Sequence, residues 1–299
     1  MAETLTTGNP IKGVTLVTLC VMLFALADVL TKHLTMLYAV PLVIALRYLV
    51  NLVMLVGFLG PRHGRALFAT QRTGLVILRG CCLAAASLTM GIALRYMPVG
   101  ETVAIIYIAP ILVMILAATF LGEKVSVAGW IGAALGFAGV LLIMRPGAGL
   151  DPVGVGFALV NAVFASGYHL LTRVLSRTET TIALLVTTAM VGTVAFGIIL
   201  LWTGVGPLPV GRDWAFLLGL GGLATVGHFM FTAAYREAPA SLLAPVNYMH
   251  LVWAGILGWI VFDHAPDGIS IFGMALVAVA GIAVALRASM AKPQLTGIT

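Results

Sequence analysis

Charge is scarce in this sequence. Only 9% of its 299 residues are Asp, Glu, Lys or Arg, where a soluble domain carries about 25%. A chain so poor in charge cannot cover a globular surface with polar groups, which excludes a soluble protein of this size. Cysteine is scarce as well. Cys20, Cys81 and Cys82 all fall inside apolar runs. A vicinal pair plus one makes neither a disulfide framework nor a metal knuckle, so all three read as small packing residues. The signatures of catalysis are missing: no G-x-S-x-G, no H-E-x-x-H, no pair of mid-span aspartates, no Walker A loop. Ser166-Gly167-Tyr168-His169 places a serine near a histidine, but neighbours at i and i+3 alone do not make a dyad. The sequence predicts no enzyme, no cofactor and no metal site. The ~10-residue alternation of a porin strand is absent, and so is a filter loop or charged ring of a selective channel.

What the chain has is length in apolar runs. Hydrophobic residues make up 61% and the mean hydropathy is +1.12, so the solvent must be lipid. Runs of ~20 apolar residues, enough to cross a hydrocarbon core, lie at roughly 12–32, 41–59, 74–95, 99–120, 125–144, 152–173, 181–203, 213–236, 240–262 and 268–287. Turn-like breaks separate them, among them GPRHGR at 60–65, RPGAGLDP at 145–152 and DHAPDG at 263–268. The expected fold is all-α, with ten transmembrane helices. The polar N-terminus MAETLTTGNP lacks a cleavable signal pattern, and AKPQLTGIT forms a short tail.

Lys and Arg set the orientation. With the N-terminus inside, the inner segments hold Lys12, Arg62, Arg65, Arg72, Lys124, Arg173, Arg177, Arg236, Arg287 and Lys292. The outer ones hold Lys32, Arg95, Arg145 and Arg212, and Arg47 and Arg79 within spans complete the 16. Both termini are therefore expected on the cytoplasmic side of a bacterial inner membrane. The net charge of +6 is the ordinary inner-leaflet bias of a protein whose partner is the lipid bilayer, and calls for no nucleic acid.

The chain repeats itself. At an offset of 141, residues 93–124 align with 233–265: Arg95 meets Arg236, Pro98 meets Pro239 and Tyr107 meets Tyr248. AGVLLIMR (138–145) meets AGIAVALR (280–287), and FALADVLTKHL (24–34) meets FASGYHLLTRVL (164–175). Residues 1–146 and 147–299 thus form two five-helix repeats. Five is odd, so the second copy enters the membrane from the opposite side, the inverted-repeat plan of secondary transporters with a site near the midplane. There the repeats carry TVAIIYIAP (102–110) and PVNYMH (245–250). Pro110 and Pro245 remove a backbone donor at mid-depth, which frees carbonyls or kinks the helix. The plainer reading is a packing kink.

These segments, together with LRYMPVGETVAIIYIAPILVMILAATFLGEKV (94–125), WIGAALGFAGVLLI (130–143) and APVNYMHLVWAGILGWIVF (244–262), resemble the drug/metabolite transporter superfamily, in its ten-helix EamA-type branch. Gly122-Glu123 fits the family's turn, while Asp263-His264 departs from it. The resemblance covers nearly the whole chain and is strongest to YddG-type amino-acid exporters. It implies export of aromatic and other neutral amino acids or related metabolites, a substrate that composition and spacing do not show.

Polar groups at membrane depth are the functional candidates. Asp28 either pairs with Arg47 or Arg79 or touches substrate. Arg79 is expected to snorkel, and Arg47 to snorkel or to meet a substrate carboxylate. Glu101 reads as a helix N-terminal charge. His169, His228 and His250 can relay protons or satisfy a carbonyl. Tyr107, Asn161, Tyr168, His228, Asn247, Tyr248 and His250 are the predicted substrate wall, with Ser166 and Trp253 beside them. Asp28, Arg47 and His169 are the candidates for coupling or an ion pair. Pro98, Pro110, Pro239 and Pro245 are the candidate hinges. Tyr38, Tyr96, Trp130, Trp202, Trp214 and Trp259 look like interfacial belt residues. Gly132, Gly136 and Gly139, loosely matched by Gly273 and Gly281, form a small-residue stripe for internal packing or a homodimer face. The expected protein is a monomer or weak homo-oligomer that exports amino acids or similar small molecules by alternating access. A passive facilitator or channel and a proton-coupled drug/metabolite antiporter remain alternatives.

Overall fold

The computed structural model describes residues 9–121, 127–145, 149–175, 178–237 and 246–290. All regular structure among them is helical: α1 (Pro10–Leu37), α2 (Val40–His63), α3 (Thr73–Tyr96), α4 (Val99–Ile106), α5 (Ala109–Leu121), α6 (Val127–Ile143), α7 (Pro152–Leu175), α8 (Thr181–Thr203), α9 (Asp213–Glu237), α10 (Met249–Phe262) and α11 (Gly268–Met290). Six of these, α1, α2, α3, α7, α8 and α9, are long and apolar enough to cross a membrane; shorter apolar helices occupy the other four predicted spans. The fourth span is broken between α4 and α5, and the described part of the ninth turns at Tyr248 before α10 begins.

The helices start where the sequence supplies caps. Asn9 Oδ1 accepts from the backbone N–H groups of Ile11 and Lys12, with Pro10 behind it at the first helical position. Thr180 caps α8 through Ala183 N–H at 3.2 Å. Asp267 caps α11, accepting from Ile269 and Ser270 N–H at 3.0 and 2.9 Å. The Ser270 amide and the Arg145 guanidinium hold the Asp267 carboxyl below the usual carboxylate range.

Polar ties gather the helix ends at two opposite poles. At one, Lys12 pairs with Glu237, and Glu179 accepts from the backbone N–H groups of Gln71 and Arg72. At the other, Lys32 Nζ donates to the carbonyls of Leu94 and Met97, both at 2.8 Å, closing the C-terminal end of α3 with a cation. There too Arg145 grips both oxygens of Asp267 at 2.9 Å, and Tyr38 donates to Asp213 at 2.6 Å. Every tie joins segments that the Lys/Arg count assigns to one side. α1 starts at the Lys12 pole. α7 starts at the Lys32 pole, where Gly154 lies so close to Met97 that an added Cβ would come within 2.4 Å of it. The two halves therefore run in opposite senses.

Their packing obeys the same two-fold relation. α1 packs on α9 as α7 packs on α3, and α2 packs on α9 as α8 packs on α3. The repeat-related pairs α2 and α8, α4 and α10, and α6 and α11 pack on each other. Between α4–α7 and α10–α11 lies the largest apolar core, with Val103, Ile105, Val140, Ile143, Ala158, Leu251, Ala254 and Val277.

One open alternative closes at this level, and the expectations for Tyr38 and Cys81 change. The glycine stripe is internal, because Gly139 on α6 and Gly273 on α11 face each other reciprocally. A Cβ built on either would sit 2.7 Å from the other's carbonyl oxygen. Tyr38 is buried rather than lipid-facing, since its hydroxyl ties α1 to the start of α9. Cys81 is exposed, while Cys20 is buried with its thiol on the carbonyl of Gly227.

Filling the α6–α11 crossing tests this arrangement. Gly139→Leu should force the helices apart and cost about 1–3 kcal/mol, read as a lower Tm of the purified protein in detergent, with Gly197→Leu, where nothing lies within 4 Å, as the neutral control.

Candidate functional site

The site begins with two breaks. In the fourth span the helical ladder stops at Tyr107 (φ −66°, ψ 4°) and restarts at Ala109. Pro110 follows as the second residue of α5 and supplies no N–H, so the ladder lacks a donor one turn after Ile106. In the ninth span Tyr248 takes nearly the same backbone conformation (φ −67°, ψ −13°). The two tyrosines that the repeat alignment matches are thus the two residues at the breaks. Their rings meet at 5.0 Å between centroids. Tyr107 Oη donates to the carbonyl of Asn247 at 2.6 Å. Ser166, fully buried on α7, donates to the carbonyl of Ala109 at 3.1 Å and to Ala162 at 2.6 Å. Broken backbone at membrane depth needs such donors, because no water is there to replace them.

Beside the tyrosine pair, α1 and α10 bring together the only ion pair at mid-span among the described residues. His250 Nε2 lies 3.0 Å from Asp28 Oδ2, and each side chain is 16% exposed. The Tyr107 ring is 6.1 Å from that of His250. Phe24, one turn before Asp28, stands between this pair and the next group, with its ring 6.4 Å from His250 and 5.0 Å from His228.

Beyond Phe24, a narrow cleft is lined by Arg47, Tyr48 and Asn51 of α2, Leu83 of α3, Tyr168 of α7, Thr188 of α8 and Thr225 and His228 of α9. Arg47 donates to Ser87 at 2.6 Å and lies over the Tyr48 ring. Asn51 brings to the cleft wall a buried Oδ1 with no hydrogen-bond partner. Arg79 backs the same wall at 3% exposure. It donates to Thr172, Thr188 and Tyr168 hydroxyls at 2.7, 2.6 and 2.8 Å and to the carbonyl of Leu184. Among the described residues neither arginine has a carboxylate within ion-pair distance, so this end of the centre is cationic.

A second, wider cleft opens at the Lys32 pole between α1, α4 and α10. Glu101 stands in the first turn of α4 as predicted, 3% exposed, and pairs with His264 at 3.2 Å.

The predicted residues divide accordingly. Tyr107, Tyr248, Asn247 and His250 meet at the breaks, and Tyr168 and His228 line the cationic cleft with Arg47. Asn161 does not reach the cleft; it is buried with its amide on the carbonyl of Ala86, bracing α7 against α3. His169 is exposed on the flank of α7 with its ring against Tyr168. Asp28 pairs with His250 rather than with Arg47 or Arg79, and Arg79 does not snorkel, because hydroxyls and a carbonyl meet its fork in the interior. Pro98 caps α4, with its carbonyl accepting from Thr102. Pro239 and Pro245 lie outside the described residues. Phe24, Asn51 and Ser87 escaped sequence reasoning. Asn51 and Ser87 carried a signal as polar residues well inside spans; Phe24 carried only its repeat mate, Phe164.

A duplicated helical bundle whose halves each place a broken span at a shared polar centre has the build of a secondary transporter. Comparison with known proteins agrees. The EamA-like transporter family profile matches residues 11–145 and again 152–287. The pseudopaline exporter CntI of Pseudomonas aeruginosa is 25% identical over 272 residues, 91% of this chain and 95% of that protein. A riboflavin transporter of Brucella anthropi is 30% identical over 226 residues, 74% and 79% of the two chains. An S-adenosylmethionine uptake transporter of Rickettsia felis is 25% identical over 225 residues, 72% of each. One solved crystal structure shares the fold with a TM-score of 0.66 at 23% identity, covering 94% of this chain and 98% of that one. The chain belongs to the EamA-like transporter family: it is a multi-pass membrane transporter of small molecules and not an enzyme. The relatives carry three unlike cargoes, and family membership does not single out the amino-acid exporters.

Tyr107→Phe keeps the ring and deletes the donor to Asn247. Losing that hydrogen bond should cost about 0.5–1.5 kcal/mol, read as a lower Tm in detergent; an unchanged Tm would remove the hydrogen bond from the account.

Proposed function

We propose that the protein exports aromatic or neutral amino acids, or related small zwitterionic metabolites, across the bacterial inner membrane by alternating access. One observation carries the reading: Arg47 on one side of Phe24 and the Asp28–His250 pair on the other. An α-amino carboxylate brings an anion for the first and an ammonium for the second, and an apolar or aromatic side chain suits the rings of Phe24, Tyr107 and Tyr248. A substrate carboxylate supplies the counter-charge that the cationic cleft lacks, and the Asn51 oxygen is an acceptor for a substrate N–H. Residues 1–146 and 147–299 act as the two rocking halves, with Pro98, its repeat mate Pro239, Pro110 and Pro245 as the hinges. The Lys12 pole faces the cytoplasm with both termini, as the Lys/Arg bias supports. The protein works as a monomer or weak homo-oligomer.

Counterflow in liposomes tests this. Vesicles preloaded with unlabelled L-phenylalanine should take up labelled L-phenylalanine, with L-tryptophan and L-methionine competing and riboflavin and S-adenosylmethionine as rival cargoes. Saturable exchange with the amino acids supports the reading. Exchange confined to the rivals, or non-saturating flux as through a channel, overturns it.

Site variants make the assignment sharper. Arg47→Gln should raise the KM for amino acids about 10- to 100-fold, the loss of one charge-assisted contact, while phenethylamine, which lacks the carboxylate, competes as well as before. Tyr248→Ala and His228→Ala should slow exchange while leaving membrane insertion intact. Wild-type kinetics in all three would retire these placements.

A further inference from the structure

We infer that the Asp28–His250 pair is a proton carrier that holds either one proton or the substrate's ammonium group, so that inward proton movement drives export. The inference rests on the reading above, which places the ammonium at this pair.

The position of the pair comes first. Asp28 belongs to the first half and His250 to the second, and their contact bridges α1 and α10 beside both helix breaks. Any relative movement of the halves must carry or break it. Each side chain keeps a small exposed fraction, so the pair is neither sealed in the core nor open to bulk water. The ionisable groups on the surrounding elements are His228 of α9, Tyr107 and Glu101 of the α4 segment, Tyr248 before α10, Lys32 one turn along α1, Arg47 of α2 and Arg79 of α3. Lys32 is turned to the end of α3 and Glu101 to His264. Among the described residues, Asp28 has His250 as its one ion-pair partner.

The charge balance follows from the chemistry of the two groups. A neutral imidazole donates its Nε2–H to the Asp28 carboxylate, and the pair then carries one negative charge. A proton added at Nδ1 makes an imidazolium and brings the pair to neutrality. A substrate ammonium placed on the carboxylate does the same without that proton. Both together would leave a net positive charge in a low-dielectric interior, where burying an uncompensated charge is costly. The two cations therefore exclude each other. The pair crosses either protonated or with substrate, one proton is released for each ammonium taken, and a zwitterion leaves in exchange for one entering proton.

The test uses the full-length protein in liposomes with the membrane potential clamped at zero and L-phenylalanine as the probe. With the lumen acidic and the bath alkaline, one-for-one exchange should accumulate the amino acid about tenfold per pH unit. A trapped pH dye should report one proton leaving the lumen per molecule entering. His250→Gln should slow counterflow in part and strip the remaining flux of its response to the gradient. Asp28→Asn should lose both the response and most of the affinity. Counterflow at matched pH with no effect of the gradient on wild type overturns the inference and leaves the transport reading standing. A full gradient response in His250→Gln overturns the assignment to this pair. Absence of counterflow with every amino acid overturns both readings together. The wild-type gradient experiment decides even where a variant fails to fold.

Discussion

The structure depends on how a backbone can be interrupted inside a membrane. A continuous helix satisfies its own hydrogen bonds and can pass through lipid unaided; an interrupted one exposes donors and acceptors that lipid cannot meet. This chain interrupts two helices, at Tyr107 and Tyr248, and meets carbonyls beside the breaks, those of Asn247 and Ala109, from within, with a phenol and a serine hydroxyl. Those donors come from neighbouring elements, so the breaks persist only while the bundle around them is assembled. The polar centre then follows, because the interrupted segments are where ionisable side chains and ring edges can gather without being sealed under helix.

The fold was legible in the sequence for a physical reason. Lipid imposes length and apolarity on each span, and duplication imposes a constant offset, so both leave marks that survive without knowledge of contacts. The offset even found the two break residues, because Tyr107 and Tyr248 are matched in it. The site was legible only in part. Mid-span polarity marked Asp28, Arg47, His228 and His250, but not who meets whom. Asp28 was paired with an arginine in prospect, and it is a histidine more than two hundred residues away that reaches it. Asn161 has the same outward chemistry as Asn51, yet one is packed into a helix interface and the other lines the cleft. Which face of a uniformly apolar helix turns inward is set by packing, and the pattern of residues along such a helix carries almost no trace of it.

Arg79 illustrates how a buried cation is tolerated. Its burial would be costly without partners, yet three hydroxyls and a carbonyl surround it and, among the described residues, no carboxylate does. Neutral acceptors let the charge remain a charge, which a carboxylate neighbour would have cancelled. The wall that it backs thus keeps a positive field toward the cleft, and Arg47 projects it to the surface.

The breaks share one geometry, but what surrounds them is not shared. At the offset of 141 Asp28 corresponds to His169 and His250 to Ala109, and among the described residues the phenol that bonds across the centre is that of Tyr107. Were the halves identical in sequence, swapping their conformations would return the same molecule turned over, and the two facing states would be equal in energy. The lopsided centre lifts that degeneracy. On the alternating-access cycle proposed above, the empty carrier has a preferred side, a resting point built into its chemistry rather than into its shape.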